Sequence, residues 1–158
     1  MARRLIVAVM ISGMLVGVAA SSAGASAATS FTKKEACKLV TAGDIEAAFG
    51  AAPTETTKDG KAGKFTTCTW KVPSASGDAT AFVGIDKTNS LNSKDYGKRS
   101  KSPTAEKVPG IKKGFIDGNT LTFVKNGNFV NVQYLGATPA ETNADGLVAV
   151  ATELNDKL

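Results

Sequence analysis

Seven basic residues fall between positions 94 and 113: Lys94, Lys98, Arg99, Lys101, Lys107, Lys112 and Lys113. Only Asp95 and Glu106 offset them, leaving a net +5 on the stretch. A charge density of that kind attracts an anionic polymer or surface, and salt weakens the attraction because exposed charges are screened within about 10 Å at 0.1 M. The Asn, Ser, Gly and Pro residues interspersed there read first as a solvated loop, with an electrostatic docking surface for an anionic partner as the sharper alternative.

Other chemistry is limited by what is missing. Histidine is absent from all 158 residues, which removes the commonest general base, the usual metal ligand and the ordinary pH switch. Serine–histidine and cysteine–histidine nucleophiles are therefore excluded, and zinc sites lack ligands. Carboxylates are scattered from Glu35 to Asp156 with no pairing in the sequence. A carboxylate-dependent hydrolase would need two of them facing each other across a cleft, roughly 5 to 10 Å apart. Gly110-Ile111-Lys112-Lys113-Gly114 lacks the spacing and the Lys-Ser/Thr end of a phosphate loop. No calcium loop is present, and the aromatic residues are not interleaved with the basic stretch as single-strand nucleic-acid binding requires. Neither a cofactor nor a catalytic residue is expected.

Cys37 and Cys68 are the only cysteines. In an exported chain such a pair reads first as one disulfide, with a redox-active or metal-binding pair as the alternative that wide separation disfavours. Export itself is read from the amino terminus. Arg3 and Arg4 precede an apolar run from Leu5 to Ala20, and Ala25-Ser26-Ala27 supplies an A-x-A site. This is the pattern of a signal peptide cleaved between Ala27 and Ala28. The 16-residue run, interrupted by Gly13 and Gly17, is short of the roughly 20 residues a spanning helix needs. Cleavage leaves 131 residues of charge +3, a polar leader over 28–34 and a single domain over 35–158. That charge is too mild for a nucleic-acid binder.

The elements that would position these residues follow from periodicity. Val40-Thr41 precedes Asp44, a capping-box spacing, and Ile45, Ala48 and Phe49 recur at helical intervals before Gly50, so a short helix is expected over 42–49. An edge strand is expected over 54–57. Phe65 to Val72 alternates, with Thr66, Cys68, Trp70 and Val72 on one face. A turn over 73–78 leads to a strand over 79–86, and strands over 113–116, 120–125 and 128–135 form a meander whose last turn, Asn126-Gly127, is a strong hairpin signal. Both faces of that final hairpin carry apolar side chains, which allows a groove. Thr138-Pro139-Ala140-Glu141 starts a helix expected to reach Lys157, with Ala144, Leu147, Val148, Ala151, Leu154 and Leu158 on one stripe.

Cys37-Lys38-Leu39-Val40-Thr41, the helix ending at Phe49-Gly50, Cys68-Thr69-Trp70, Val108-Pro109-Gly110-Ile111 and the C-terminal helix together resemble a family of small secreted proteins and lipoproteins of actinobacteria, catalogued as a domain of unknown function. The likeness spans about 36–154. It implies an α+β domain with an antiparallel sheet, a disulfide joining Cys37 to Cys68, and no known catalytic residues. Many members look like lipoproteins, whereas this chain has no lipobox cysteine, so a lipid anchor is not implied. The extracellular sensor domains of actinobacterial serine/threonine kinases are more distantly similar and imply ligand sensing, without any kinase part here.

The expected fold is α+β: an antiparallel sheet of about five or six strands, a short N-terminal helix and a longer C-terminal helix packed on it, and one disulfide. The expected function is a secreted, non-catalytic binding or sensing module of the cell envelope, with an anionic envelope polymer or an exported protein as partner. Lys94 to Lys113 and the sheet face near Trp70 and Tyr134 are the candidate surface. The alternatives are the carboxylate-dependent hydrolase and a structural or inhibitory protein that docks on another exported protein.

Overall fold

The computed structural model describes residues 36–57, 65–86, 96–136 and 143–158. The expected signal peptide, leader and cleavage site lie outside the described residues. Two short helices, α1 (Ala36–Leu39) and α2 (Ala42–Phe49), precede the strands β1 (Glu55–Thr57), β2 (Phe65–Ser74), β3 (Gly77–Asp86), β4 (Glu106–Lys107), β5 (Phe115–Asp117), β6 (Thr120–Lys125) and β7 (Asn128–Leu135), and α3 (Ala144–Lys157) ends the chain. All strand pairs are antiparallel, in one seven-stranded sheet of order β1-β2-β3-β7-β6-β5-β4. The fold is thus the expected α+β type.

The strand beyond the expected count is β4, two residues paired to Phe115 and Ile116 of β5. It is too short to leave an alternation. A second difference is the β2–β3 turn, which is only Ala75-Ser76, so Pro73 and Ser74 are strand residues paired to Asp78 and Gly77. Proline lacks the N–H that an inner strand donates, but β1 pairs with β2 no further than Lys71, so Pro73 stands at a free edge. β5 begins at Phe115 rather than at Lys113. Lys113 has φ 60°, and the Gly114 amide bonds back to the Ile111 carbonyl at 2.9 Å, so the chain is still turning there. At the β6–β7 turn Asn126 and Gly127 have φ 48° and 77°, the left-handed pair that a type I′ hairpin requires.

One sheet face is the core. Cys68, Trp70, Val72, Ala81, Val83, Leu121, Phe123, Val130 and Val132 alternate onto it, and Val40, Ile45, Leu147, Val150, Ala151 and Leu154 cover it from the helices. Trp70 is 1% exposed, and Tyr134, at 6%, stacks on Phe49 with ring centroids 4.7 Å apart. Trp70 and Tyr134, expected to mark a ligand surface, are thus buried side chains of the core face, over which α2 and α3 pack. No helix among the described residues is long and apolar enough to cross a membrane.

α2 is capped as its sequence requires. The Thr41 hydroxyl accepts from the Asp44 amide at 3.3 Å, the Asp44 carboxylate accepts from the Thr41 amide at 2.7 Å, and Gly50 closes the helix at φ 79°. α3 starts later than expected. Its cap is Asn143, whose side chain accepts from the Gly146 amide at 2.8 Å, and the Asn143 backbone at φ −129° and ψ 73° is not helical. The Thr138-Pro139 start falls outside the described residues. Gly146 lets α3 approach α2, since a Cβ there would sit 2.6 Å from the Phe49 ring.

The helices are tied down in three ways. Cys37 of α1 is bonded to Cys68 of β2. Lys157, at the end of α3, donates to the Leu39 carbonyl at 2.7 Å and pairs with Glu153 at 2.8 Å and Asp44 at 3.7 Å. Lys125 donates to the Asn155 carbonyl, and Asn126 to that of Leu158 at 2.6 Å. Reducing the disulfide, which closes a separation of 31 positions, is expected to lower stability by about 3 to 4 kcal/mol, read as a fall in the urea midpoint. No loss of stability on reduction would mean that α1 is held by packing alone.

The Asp44 carboxyl is held below its ordinary value, first by the hydrogen bond from the Thr41 amide; burial, the next largest influence, opposes this, and the Thr41 hydroxyl and Lys157 add to the lowering. A depressed carboxyl stabilises the fold above its unfolded pKa of about 4, and the contribution is lost as pH falls through the folded value. Asp44→Asn is therefore expected to cost stability at neutral pH and to converge with the wild type in strongly acidic buffer, in thermal melts across the acid range. A gap that persists unchanged at low pH would assign the loss to packing instead of charge.

Candidate functional site

Strand positions one residue out of step with the core point to the opposite face, which α2 and α3 do not cover. The register aligns them in rows: Phe65 with Asp86 and Phe129; Thr67 with Gly84, Asn131, Thr122 and Phe115; Thr69 with Phe82, Gln133 and Thr120. Three half-buried phenylalanines, Phe65, Phe82 and Phe129, thus stand on neighbouring strands of one face. The Phe65 and Phe82 ring centroids are 6.5 Å apart. Gly84 separates them, and a Cβ there would meet the Phe65 ring at 2.6 Å, so glycine makes room for that ring against the strand.

The basic stretch returns onto this face through one residue. Tyr96 opens a helical turn over 96–99, and its ring meets Phe115 edge-on at 5.4 Å and Phe129 at 6.4 Å. Its hydroxyl donates to the Lys113 carbonyl at 2.7 Å, and burial pushes its phenol pKa up. Further along, Val108 and Ile111 are buried in the core cluster, and the Thr104 hydroxyl donates to Asp117 at 2.6 Å. The stretch is pinned at intervals, which a freely solvated loop would not be.

Pinning divides the expected cationic surface. Lys98 and Arg99 reach a groove of about 490 Å³, lined also by Phe65, Phe82, Phe129, Asn131 and Gln133. Neither forms an ion pair among the described residues. Lys112 and Lys113 belong to a different cavity of about 470 Å³, shared with Lys125, Asn126 and Asn155 at the end of α3. Lys101 and Lys107 are exposed and line neither, and Lys94 lies outside the described residues. A third cavity of about 460 Å³ at Phe49, Pro73, Tyr134 and Asn143 carries no charged side chain among the described residues.

The groove floor contains a polar anomaly. Asn131 Oδ1 and its cross-strand neighbour Thr122 Oγ1 are buried without a hydrogen-bond partner. Such an atom typically costs about 1 to 3 kcal/mol. Two cations and three aromatic rings therefore converge on one concavity, and one of its lining residues, Asn131, keeps a buried unpartnered acceptor. It can hold a ligand with an anionic group and an apolar body. Among the described residues, no carboxylate lines any of these three cavities, and no cluster of side chains suited to a metal ion occurs.

Sequence reasoning supplied Lys98 and Arg99 but not their setting. Phe65, Phe82, Gly84, Asn131 and Gln133 were not singled out, although aromatic residues at the out-of-step positions of Phe65 and Phe82 were a usable signal. Comparison with protein-family models, curated proteins and solved structures gives no match for this chain.

Tyr96→Phe keeps both ring contacts and removes only the bond to the Lys113 carbonyl. A loss of about 0.5 to 1.5 kcal/mol is expected in chemical denaturation, with faster backbone amide exchange at 97–101. Unchanged exchange there would show that the ring alone holds the turn.

Proposed function

We propose that this chain is an exported, non-catalytic binding module that captures an anionic component of the cell envelope on the helix-free face of its sheet. One observation carries the reading: Lys98 and Arg99 stand over an aromatic floor with no acidic partner among the described residues. Cations kept beside apolar rings and left without counter-ions are arranged for a ligand to neutralise. Export rests on the signal-peptide pattern, with which the Cys37–Cys68 disulfide agrees. The resemblance to small secreted actinobacterial proteins points the same way. The hydrolase alternative gains no support from the groove, whose lining among the described residues includes no carboxylate.

The test compares two charge deletions. Lys98→Ala/Arg99→Ala is expected to reduce retention of the protein on isolated anionic cell walls at low salt by roughly 10- to 30-fold, at about 1 kcal/mol per charge. Lys112→Ala/Lys113→Ala, on the separate cavity, removes the same charge and is expected to have much the smaller effect. Equal losses would mean that net charge matters and the groove does not.

A further inference from the structure

The groove is more than a patch of charge, and its lining points to a narrower class of ligand. We infer that it binds a single anionic amphiphile: an acyl chain lying over Phe65, Phe82 and Phe129, a carboxylate on Lys98 and Arg99, and an amide N–H near the head that donates to Asn131. The inference rests on the binding reading above and assigns its ligand chemistry.

Three observations select this class. The first is charge complementarity: Arg99 offers a planar fork that matches a carboxylate, and Lys98 beside it adds a second donor. The second is the floor. A polyanion needs only cations and gains little from three phenylalanine rings, whereas an acyl chain buries its methylenes against them. At Gly84 the Phe65 and Phe82 rings close over the strand, so the floor there is continuous aromatic surface. The volume, about 490 Å³, lies in the range of small-molecule sites, roughly 300 to 1,000 Å³. The third is Asn131. It is buried in the floor, its Oδ1 lacks a donor, and neither a simple carboxylate nor an alkyl chain supplies one. An amide N–H close to the head group does, as in an N-acyl amino acid.

The experiment uses the disulfide-bonded protein and cis-parinaric acid, a fluorescent long-chain carboxylate, below its micelle concentration. Saturable binding of one probe per chain is expected. Dodecanoate should displace it, and N-dodecanoylglycine should do so at about five-fold lower concentration, the ratio that one added hydrogen bond provides. Asn131→Leu is expected to abolish that five-fold advantage while dodecanoate still competes. Lys98→Ala/Arg99→Ala should weaken dodecanoate at least ten-fold, with far-ultraviolet circular dichroism confirming that each variant is folded. Displacement by dodecyltrimethylammonium as effective as by dodecanoate would overturn the proposal, because it would show a merely greasy surface. So would equal potency of the acylglycine and the plain acid in the wild type, or no saturable binding. If the probe fails to bind while Lys98→Ala/Arg99→Ala still loses wall retention, the amphiphile falls and the binding module stands. If neither effect is seen, both fall.

Discussion

The register of the β2–β3–β7–β6 ladder is the constraint on which everything else depends. It sets Cys68, Val83, Val132 and Leu121 side by side on one face, and Thr67, Gly84, Asn131 and Thr122 side by side on the other. Because successive strand residues alternate faces, a slip of one position in any strand would carry its core residues to the groove and its groove residues to the core. The two hairpin turns, Ala75-Ser76 and Asn126-Gly127, leave no slack for such a slip. The core and the groove are therefore one decision, read from opposite sides of the same sheet.

Around that sheet the covalent and polar ties gather at one place. The disulfide anchors α1 to the seam that also carries Trp70, and Lys157 joins the end of α3 to the α1 carbonyl of Leu39 and to the capping carboxylate of Asp44. The Lys157 ion pairs are half exposed and individually weak. Their bearing is on orientation: three helix ends are brought to one ammonium group, so α3 lies in a fixed direction over the core face. The consequence for function is indirect. A rigid, covalently held core side lets the opposite face carry half-buried aromatic rings and an unsatisfied acceptor without collapsing onto them.

Much of this architecture was legible in the sequence because it is local. The cap at Thr41 and Asp44, the glycine stop at Gly50, the alternation from Phe65 to Val72 and the Asn126-Gly127 turn each need only a few adjacent residues to be recognised, and each occurs in the structure. What was not legible depends on distant strands meeting. Nothing near Pro73 says that β1 stops pairing at Lys71, so a proline looked like a turn residue when it is at a strand edge. β4 exists only because β5 is there to pair with it. Trp70 and Tyr134 looked like a surface because aromatic residues serve equally as core and as ligand platform, and only the placement of α2 and α3 decides between them.

The candidate site shows the same division. Charge along 94–113 is a sequence property, but whether those charges act together depends on where the stretch is fastened. Tyr96 seats its turn on Phe115 and Phe129, whereas the turn at Lys113, with its left-handed backbone, swings the later lysines toward the end of α3. One run of like charge is thereby sorted into a pair over an aromatic floor and a pair beside a helix end. Only the first is lined by aromatic rings. The carbonyl end of α3 carries partial negative charge that disfavours an anion, so Lys112 and Lys113 face a site already partly neutralised by the fold. Lys98 and Arg99 face aromatic rings, which carry no counter-charge, so these two cations differ in setting from Lys112 and Lys113.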